Sequence, residues 1–318
     1  MFLAYLFTFL KNAIYGTTAF FTDQLDGNGV DAIEILALRF LLSFLVLWLL
    51  KTTKLVKIEV GIKDVFKKTE KHKFIKPLLL TALFSPVIEM FFETTGITMT
   101  TQVTAGVILS LIPIFACVWE TLILKETTSL LQKIFLVIGV IGVIYIVINT
   151  DTNDGKNTVF GIICLVIATV TGPLHLVFSR QSLKVFKPFE VTYFACLLGT
   201  VVFNTINVVK HIYAGNLLDY FDPYFNSYNI LRFIALSIAA TLVATAMNNF
   251  SMSRLQASTV TAFSGVSTVV TIIIGAINDS ENKLYYFHYI GFALILIRMV
   301  GVSYIAIRKD KLKAKDSV

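Results

Sequence analysis

Long apolar runs separated by short polar connections dominate the pattern along this chain. Ten segments approach the length of about 20 mostly apolar residues that a helix needs to cross a bilayer. They lie at roughly 2–22, 32–50, 77–97, 101–124, 130–149, 158–178, 189–209, 229–250, 257–278 and 287–307. Irregular backbone cannot face lipid, because each unpaired amide there costs several kcal/mol. We therefore predict ten transmembrane helices. The first is expected to be retained and not cleaved as a signal peptide, since Lys11 lies near its centre and no small-x-small cleavage site precedes Asp23.

The composition agrees with a protein whose surroundings are mainly lipid. Of 318 residues, 56% are hydrophobic and only 15% are charged, and the mean hydropathy is +0.78. A soluble domain would have about a quarter of its residues charged. Cys117, Cys164 and Cys196 all fall inside predicted spans, which argues against a disulfide framework. The sequence thus predicts an all-α integral membrane protein.

Basic residues are concentrated in alternate connections between the predicted helices. If the N-terminus is cytoplasmic, 19 of the 27 Lys and Arg residues fall in the inward-facing segments at 51–76, 125–129, 179–188, 251–256 and the tail from 308. The outward-facing connections are acidic instead. This distribution follows the positive-inside rule and predicts that both termini are cytoplasmic, in the plasma membrane. The net charge of +7 is therefore explained by topology, and no nucleic-acid partner is expected.

The two halves of the chain resemble each other. Residues 142–148, GVIYIVI, match residues 301–307, GVSYIAI, at five of seven positions. The predicted limits are 1–149 for a first five-helix repeat, 150–157 for an outer linker, 158–308 for a second five-helix repeat and 309–318 for a basic cytoplasmic tail. Because five is odd, the two repeats must enter the membrane in opposite orientations. Inverted repeats are typical of secondary transporters, whose substrate site lies near the midplane where the repeats meet.

Three stretches carry a resemblance to a known family. They are EILALRFLLSFLVLWLL, with Arg39 before a long apolar run; TTQVTAGVILSLIPIFACVWETLILKE, with Pro113 mid-helix and Glu126 at the helix exit; and LLQKIFLVIGVIGVIYIV. On these stretches the chain resembles the drug/metabolite transporter superfamily, specifically its EamA-type members with ten helices in two tandem repeats. The resemblance covers essentially the whole chain and implies a transporter fold. The second half departs from the pattern at three matched positions, where Val266 stands for Pro113, Asp279 for Glu126 and Arg298 for Gly139.

Charged residues inside the apolar segments are the main candidates for chemistry. Lys11 and Tyr15 share one face of the first helix, and Glu89 and Glu93 share one face of the third. A charge at the bilayer centre costs about 2.5–3.5 kcal/mol, so such groups face the bundle interior and pair. We expect Lys11 to meet Glu89 or Glu93, which leaves one carboxylate free to carry a proton or bind a cation. The alternative is a static Lys–Glu bridge that only packs helices.

The eighth helix is expected to supply amides and hydroxyls to the same place. Thr241, Thr245 and either Asn248 or Asn249 lie on one of its faces, and this helix matches the helix of Glu89. These amides could equally be plain hydrogen-bonding contacts between helices. The resemblance adds the secondary candidates Gln102, Thr104, His175, Thr261 and Ser264. The candidate substrate-binding or coupling residues are Lys11, Tyr15, Glu89, Glu93, Gln102, His175, Thr245, Asn248, Asn249 and Arg298.

Two further arginines need partners or solvent. Arg298 lies at mid-depth in the tenth helix and requires an acid or backbone acceptor. Arg39, in the outer half of the second helix, could extend its side chain outward to the interface.

The leading functional hypothesis is a secondary carrier that works by alternating access. It would move a small metabolite or drug-like solute, such as an amino acid or amine, either coupled to protons or ions or by facilitation. The sequence has no GxxxxGK[ST], HExxH, DDxxD or GxSxG motif and no paired His/Cys ligands, so we expect no catalytic residues, cofactor or metal. The expected partners are a small solute and the bilayer, with a homodimer left open. The alternatives are a non-transporting scaffold or sensor and an intramembrane enzyme.

Overall fold

The structure is a computed structural model that describes residues 2–56, 58, 75–100, 105, 108–109, 111–125, 129–149, 158–278 and 286–316. Regular structure in these residues is helical. The α-helices are α1 (Phe2–Gly16), α2 (Thr18–Gly27), α3 (Ala32–Thr52), α4 (Ile75–Ala82), α5 (Glu89–Thr98), α6 (Ile112–Leu124), α7 (Leu130–Ile148), α8 (Val159–Ser182), α9 (Pro188–Ala214), α10 (Asp222–Phe225), α11 (Ser227–Ile234), α12 (Ala244–Met252), α13 (Ala257–Ala262), α14 (Ser264–Asn278) and α15 (Tyr286–Asp316). Two π-helical stretches, Leu83–Ile88 and Ala235–Val243, and a 3-10 helix, Leu217–Phe221, complete the list.

Several of these helices are long and apolar enough to cross a membrane. In the described part of the chain, six continuous helical segments meet that condition: Ala32–Thr52, Ile75–Thr98, Val159–Ser182, Pro188–Ala214, Ser227–Met252 and Tyr286–Ile305. Shorter apolar helices run over Ile112–Leu124, Leu130–Ile146 and Thr259–Thr271. Large apolar side chains such as Trp48, Leu122 and Ile141 are exposed on the outside of the bundle. The chain is therefore an all-helical, multi-pass membrane protein, as the sequence predicts.

Some predicted helix limits differ from the observed ones. The first predicted span, 2–22, is broken at Thr17 and resumes as α2, which reaches Gly27. The Thr17 hydroxyl donates to the carbonyl oxygen of Ile14 at 2.7 Å. The last span continues to Asp316, because the Lys-rich sequence after residue 308, which also contains Leu312 and Ala314, favours helix. The span predicted over 101–124 is a continuous helix from Ile112, and most of residues 101–110 lie outside the described residues.

The packing of α7 against α15 displays the inverted repeats directly. Four close approaches set their register: Phe135 with Gly301, Gly139 with Arg298, Gly142 with Leu294 and Ile146 with Gly291. Numbers rise along one helix as they fall along the other, so the helices are antiparallel. The repeats are offset by 159 residues here (301 − 142), and this offset carries Gly139 onto Arg298. A residue that contacts its own counterpart lies on the pseudo-twofold axis, so the axis passes between these two side chains.

The third membrane helix of each half is interrupted by a π-helical stretch. In the first half, Ser85 is extended (φ −142°, ψ 118°), and the next residue, Pro86, has no N–H to donate to the helix ladder. In the second half, the Thr241 hydroxyl donates to the carbonyl oxygen of Leu236, five residues back, at 2.8 Å. Such single-turn widenings of a helix occur frequently at functional sites. Transporters build their sites from interrupted helices at corresponding positions of two repeats.

One end of the bundle is packed shut around the start of α1. Its buried apolar cluster, which we call the closed end, consists of Ala4, Leu176, Met252, Leu255, Ala257 and Val260. The Ser251 hydroxyl donates to the carbonyl oxygen of Ala4 at 3.0 Å. Farther along α1, Tyr15 and the residues 17–21 are partly exposed. The interior of the bundle is therefore sealed at the closed end and less tightly packed beyond it.

Candidate functional site

Glu89 and His175 form a polar pair inside the bundle. Glu89 is the first residue of α5, directly after the π-helical stretch, and its Oε2 lies 3.0 Å from Nδ1 of His175 on α8. The same Nδ1 lies 2.6 Å from the carbonyl oxygen of Gly172, so two acceptors compete for its single hydrogen. A Cβ at position 172 would collide with the Glu89 carboxylate. A glycine here is what lets the acid approach α8.

Lys11 is held by an amide and not by an acid. Its Nζ donates to Oδ1 of Asn248 at 2.7 Å and lies 5.4 Å from the centre of the Tyr15 ring. Neither Glu89 nor Glu93 comes within 4 Å of Lys11 as an ion pair, which corrects the pairing expected from charge balance. An amide oxygen solvates the ammonium group without neutralising a carboxylate. The charge of Lys11 still reaches Glu89 electrostatically.

Glu93 lies one turn beyond Glu89 on α5 and is left without a partner. Among the described residues it forms neither a hydrogen bond nor an ion pair, although it is only partly exposed. Arg39 of α3 is near enough to interact with it electrostatically. The Arg39 Nε instead donates to Oγ1 of Thr241 at 2.5 Å. Glu93 is therefore a carboxylate inside the protein with no direct counter-ion.

Tyr15 and Thr245 complete this region. Their side chains are close enough to interact with each other, and both are partly exposed. The residues of this region come from α1, α5, α8 and α12, two helices from each half. We call them the central cluster: Tyr15, Glu89, Glu93, His175 and Thr245.

Asn249 does not share the position of Asn248. It accepts a hydrogen bond from Ser179 and donates one to Thr192, each at 2.9 Å. It thereby fastens α8, α9 and α12 together, and only 3% of it is exposed. Of the two asparagines left open by the sequence, Asn248 is the one beside the central cluster, and Asn249 is a contact between helices.

Arg298 is fully buried where α7, α14 and α15 meet. It packs on Gly139 and Gly265, and its Nη2 lies 3.3 Å from Oγ of Ser264. Its Nε and Nη1 have no hydrogen-bond partner among the described residues. The arginine predicted as a site candidate is thus part of the α7–α15 contact.

The other secondary candidates are Gln102, Thr104 and Thr261. Gln102 and Thr104 lie outside the described residues. The Thr261 hydroxyl donates to the carbonyl oxygen of Ala257 at 2.9 Å, within its own helix. Among the residues that the structure describes, no three His, Cys, Asp or Glu side chains come together as metal ligands would.

A second buried carboxylate fastens the closed end. Glu120 on α6 is fully buried, and its Oε1 lies 3.1 Å from Nη1 of Arg180. The same oxygen accepts the backbone N–H of Ala257, the first residue of α13, at 2.7 Å. Three helices are therefore joined through one oxygen next to the closed-end cluster. Glu120 is not a candidate from the sequence, because charges near helix ends cost little free energy and because its burial depends on tertiary packing.

Arg39 lies in a different environment from the membrane interface that the sequence suggested for it. The structure buries it, with 2% of its surface exposed, and does not let it reach the membrane interface. Its depth in the second helix, at position eight of a 21-residue helix, was the available signal. The partner Thr241 could not be chosen from the sequence, because it lies on the widened helix of the other half.

The comparison with known families decides the classification. A model of the EamA-like transporter family matches the chain twice, over residues 2–148 and 159–304. This chain belongs to the EamA-like transporter family. The two matches to the EamA model agree with the two repeats, and the expected family is confirmed. The chain is accordingly a transporter-family protein of the drug/metabolite transporter superfamily, embedded in a membrane.

Individual relatives agree with the EamA assignment. The chain is 30% identical over 298 residues to an uncharacterized transporter, YcxC, of Bacillus subtilis (strain 168), covering 94% of this chain and 92% of that one. An uncharacterized transporter of Archaeoglobus fulgidus is 22% identical over 137 residues, 43% of this chain and 48% of its own length. A solved crystal structure superposes with a TM-score of 0.70 at 16% identity, covering 96% of this chain and 98% of the other. That likeness shows the shared fold.

Proposed function

We propose that this protein is a secondary transporter that moves a small organic solute across the plasma membrane by alternating access. The observation that carries the proposal is the central cluster. Five polar or ionisable side chains from both halves meet inside an apolar bundle, and they remain partly exposed there. Polar groups at membrane depth with residual exposure are typical of a water-filled substrate pathway. Both termini are proposed to be cytoplasmic, on the basis of the Lys and Arg distribution.

The closed end corresponds to one state of the proposed transport cycle, in which access to the bundle interior from that end is blocked. The apolar cluster around Ala4 and the Glu120 contacts close the bundle on the side proposed to be cytoplasmic. Opening that side would separate α13 from α6 and break the two contacts of the Glu120 Oε1. The π-helical stretches, at corresponding positions of the two halves, supply places where the helices can bend. Alternating access then consists of exchanging this closure for one at the opposite end.

We propose different roles for the two acids of the central cluster. Glu89 is fixed by His175 and suits a fixed contact with the solute. Glu93 has no direct partner among the described residues and suits a group that binds and releases a proton during each cycle. Arg39 attracts Glu93 when it is ionised and releases it when it is protonated. Coupling to a proton gradient therefore rests on Glu93.

The chemistry of the central cluster favours a cationic or zwitterionic solute, such as an amino acid or an amine. Two carboxylates attract an ammonium group, and the Tyr15 ring offers a face to a cation. Lys11 and Arg39 are bound by Asn248 and Thr241 and form no ion pair with the two carboxylates, but their charges weaken this preference. A phosphate ester would require several unopposed cations instead.

The test uses purified protein in two stages. A thermal-shift screen against amino acids and amines at two pH values identifies a solute, and uptake into proteoliposomes under an imposed pH gradient measures its transport. The double variant Glu89→Gln/Glu93→Gln is expected to abolish pH-driven transport while expression and folding stay intact. Glu34→Gln is the matched control, because this acid contacts Lys210 and His211 outside the central cluster. Undiminished proton coupling in the double variant would exclude both acids from the role.

The domain limits and the assembly state are part of the same proposal. We take 1–149 and 158–308 as the repeats, 150–157 as the linker and 309–318 as the tail. A homodimer stays a prediction, and light scattering of the purified protein in detergent measures it directly.

A further inference from the structure

Two apolar grooves open on the outside of the bundle, and each includes one lysine. The first has a volume of about 510 Å³ and is lined by Ile75, Lys76, Leu79, Leu80, Leu83 and Leu198. The second has a volume of about 360 Å³, and its lining includes Val118, Leu122, Lys133, Leu136 and Val137. Both volumes fall within the range of about 300–1,000 Å³ that is usual for small-molecule sites. The grooves are separate from the central cluster and lie on different faces of the molecule.

The two lysines lie at the same end of the bundle. Lys76 is the second residue of α4, whose first residue packs with Phe186 in the turn between α8 and α9. Lys133 is in the first turn of α7, just after α6 ends. Glu120 of α6 contacts α13 at the closed end. Both grooves therefore extend from a lysine near the closed end toward the middle of the membrane.

The walls of the grooves are exposed to the surroundings of the protein. Leu79, Leu83, Val118 and Leu122 are 46%, 41%, 42% and 64% exposed. In a membrane protein, such outward-facing surfaces are in contact with acyl chains. A lysine at the end of a membrane helix extends its ammonium group to the level of the lipid phosphates. Among the described residues that line the grooves, none is an acid that would neutralise either lysine.

We propose that each groove binds one anionic phospholipid, whose phosphate lies on Lys76 or Lys133 and whose acyl chain lies along the apolar wall. A free phosphate ion does not suit the grooves, because the described lining of each offers a single cation among mainly apolar side chains. A second copy of this chain does not suit them either. A twofold contact centred on a groove brings the same patch together with itself and would place two lysines in opposition.

The first groove also connects this lipid to the transport helix. Leu83 is both a wall of the groove and the first residue of the π-helical stretch that leads to Glu89. A bound acyl chain therefore packs on the segment that bends. This link rests on the proposed transport function, whereas lipid binding itself does not.

The experiment is a lipid titration of the purified full-length protein followed by native mass spectrometry. Phosphatidylglycerol and phosphatidylcholine with identical acyl chains are the two probes. Each lysine is expected to strengthen binding of the anionic lipid about fivefold, which corresponds to ~1 kcal/mol. Lys76→Gln and Lys133→Gln should each weaken one site by this factor, and the double variant should lose the preference for phosphatidylglycerol. Lys184→Gln, an exposed lysine in the turn at the same end, should leave it unchanged.

Four outcomes would overturn the proposal. The first is a double variant that still prefers phosphatidylglycerol. The second is an equal loss in Lys184→Gln, which would indicate general surface charge. The third is effective competition by glycerol phosphate, which has no acyl chain and would indicate a simple anion site. An altered oligomeric state in the lysine variants would likewise contradict it, since it would assign the grooves to a second copy of the chain.

A second pair of variants tests the apolar walls independently. Leu83→Trp and Val118→Trp fill the grooves while leaving both lysines in place. Each is expected to remove one bound lipid of either headgroup, with a monodisperse elution profile and an unchanged helical circular dichroism spectrum as controls for folding. Wild-type lipid binding by well-folded tryptophan variants would show that the grooves are not the sites.

Discussion

The third membrane helix of the first half and its counterpart in the second half share one distortion but carry opposite chemistry. Both contain a π-helical stretch, Leu83–Ile88 in one and Ala235–Val243 in the other. The first then presents two carboxylates, Glu89 and Glu93, which are partly exposed toward the interior. The second presents hydroxyls and amides, of which Thr241, Asn248 and Asn249 are almost fully buried and Thr245 is partly exposed. Two repeats that share a fold can therefore differ in role. We call the half whose third helix carries the carboxylates the ionisable half, and the half whose corresponding helix carries neutral polar groups the fixed half.

The fixed half acts mainly on the cations of the other half. Thr241 accepts from Arg39, and Asn248 accepts from Lys11. Neutral oxygens solvate these cations without cancelling a carboxylate charge. Glu93 consequently stays without a direct counter-ion although two cations lie near the acids. The polar groups of the second helix therefore hold the cations Arg39 and Lys11 in position, whereas those of the first helix carry the negative charge themselves.

The largest effect is expected from the ionisable helix. Glu93→Gln should reduce pH-driven transport at least about tenfold, equivalent to ~1.4 kcal/mol, because an amide cannot exchange a proton in this range. Thermal stability should be unchanged, since Glu93 forms neither a hydrogen bond nor an ion pair with any residue that the structure describes. Initial rates in proteoliposomes at two pH values measure the first effect, and thermal unfolding measures the second. A preserved pH dependence would move the coupling role to Glu89.

The next effect tests the fixed helix. Thr241→Val leaves the buried Arg39 Nε without its acceptor, which costs about 1–3 kcal/mol in the free energy of unfolding. The thermal unfolding temperature in detergent should fall accordingly. Pairing this change with Arg39→Met should recover much of the loss, because no buried donor then remains unpaired. No loss in the single variant would mean that Arg39 relies on Glu93 and that the two helices are less distinct than proposed.

Asn249→Leu should have a smaller effect that concerns packing alone. It removes the hydrogen bonds to Ser179 and Thr192, which at about 0.6 kcal/mol each amount to ~1 kcal/mol. The unfolding temperature should decrease slightly, and the pH dependence of transport should remain that of the unchanged protein. A shifted pH dependence would contradict the separation of Asn249 from the central cluster.

Thr245→Val is expected to have the smallest effect on stability. It removes only the polar contact with Tyr15, worth about 0.6 kcal/mol, at a partly exposed position. Because Tyr15 is then free to rotate, a modest increase in KM for the solute should accompany a nearly unchanged unfolding temperature. A loss as large as that of Thr241→Val would show that both threonines serve the scaffold.

Sequence patterns predicted the features that the bilayer itself imposes. Helices of spanning length follow from hydropathy and a two-repeat architecture follows from the internal match, and the structure and the family match agree with both. The polar stripes of the first, third and eighth helices also converge, as spacing suggested for Lys11 and Asn248. These predictions succeeded because each rests on a periodicity that lipid enforces.

Partner choice inside the bundle was not predictable in the same way. A π-helical stretch changes the angular position of every later residue on that helix, so spacing rules derived from a regular α-helix no longer fix which side chain faces which. Glu89 accordingly meets His175 and not Lys11, and Asn248 and Asn249 point to different neighbours. The burial of Arg298 on the pseudo-twofold axis depends on Gly139 in the other half, which no local pattern indicates.

The glycine-lined contact between α7 and α15 has a mechanical consequence. Side chains from each helix fill the space above glycines of the other at four successive levels, so sliding by one residue would drive each side chain into backbone. The last helices of the two halves therefore cannot slide along each other. Rotation of the two halves about the line of contact between α7 and α15 is the motion that this packing still allows. The solute pathway must therefore open and close at a distance from that line.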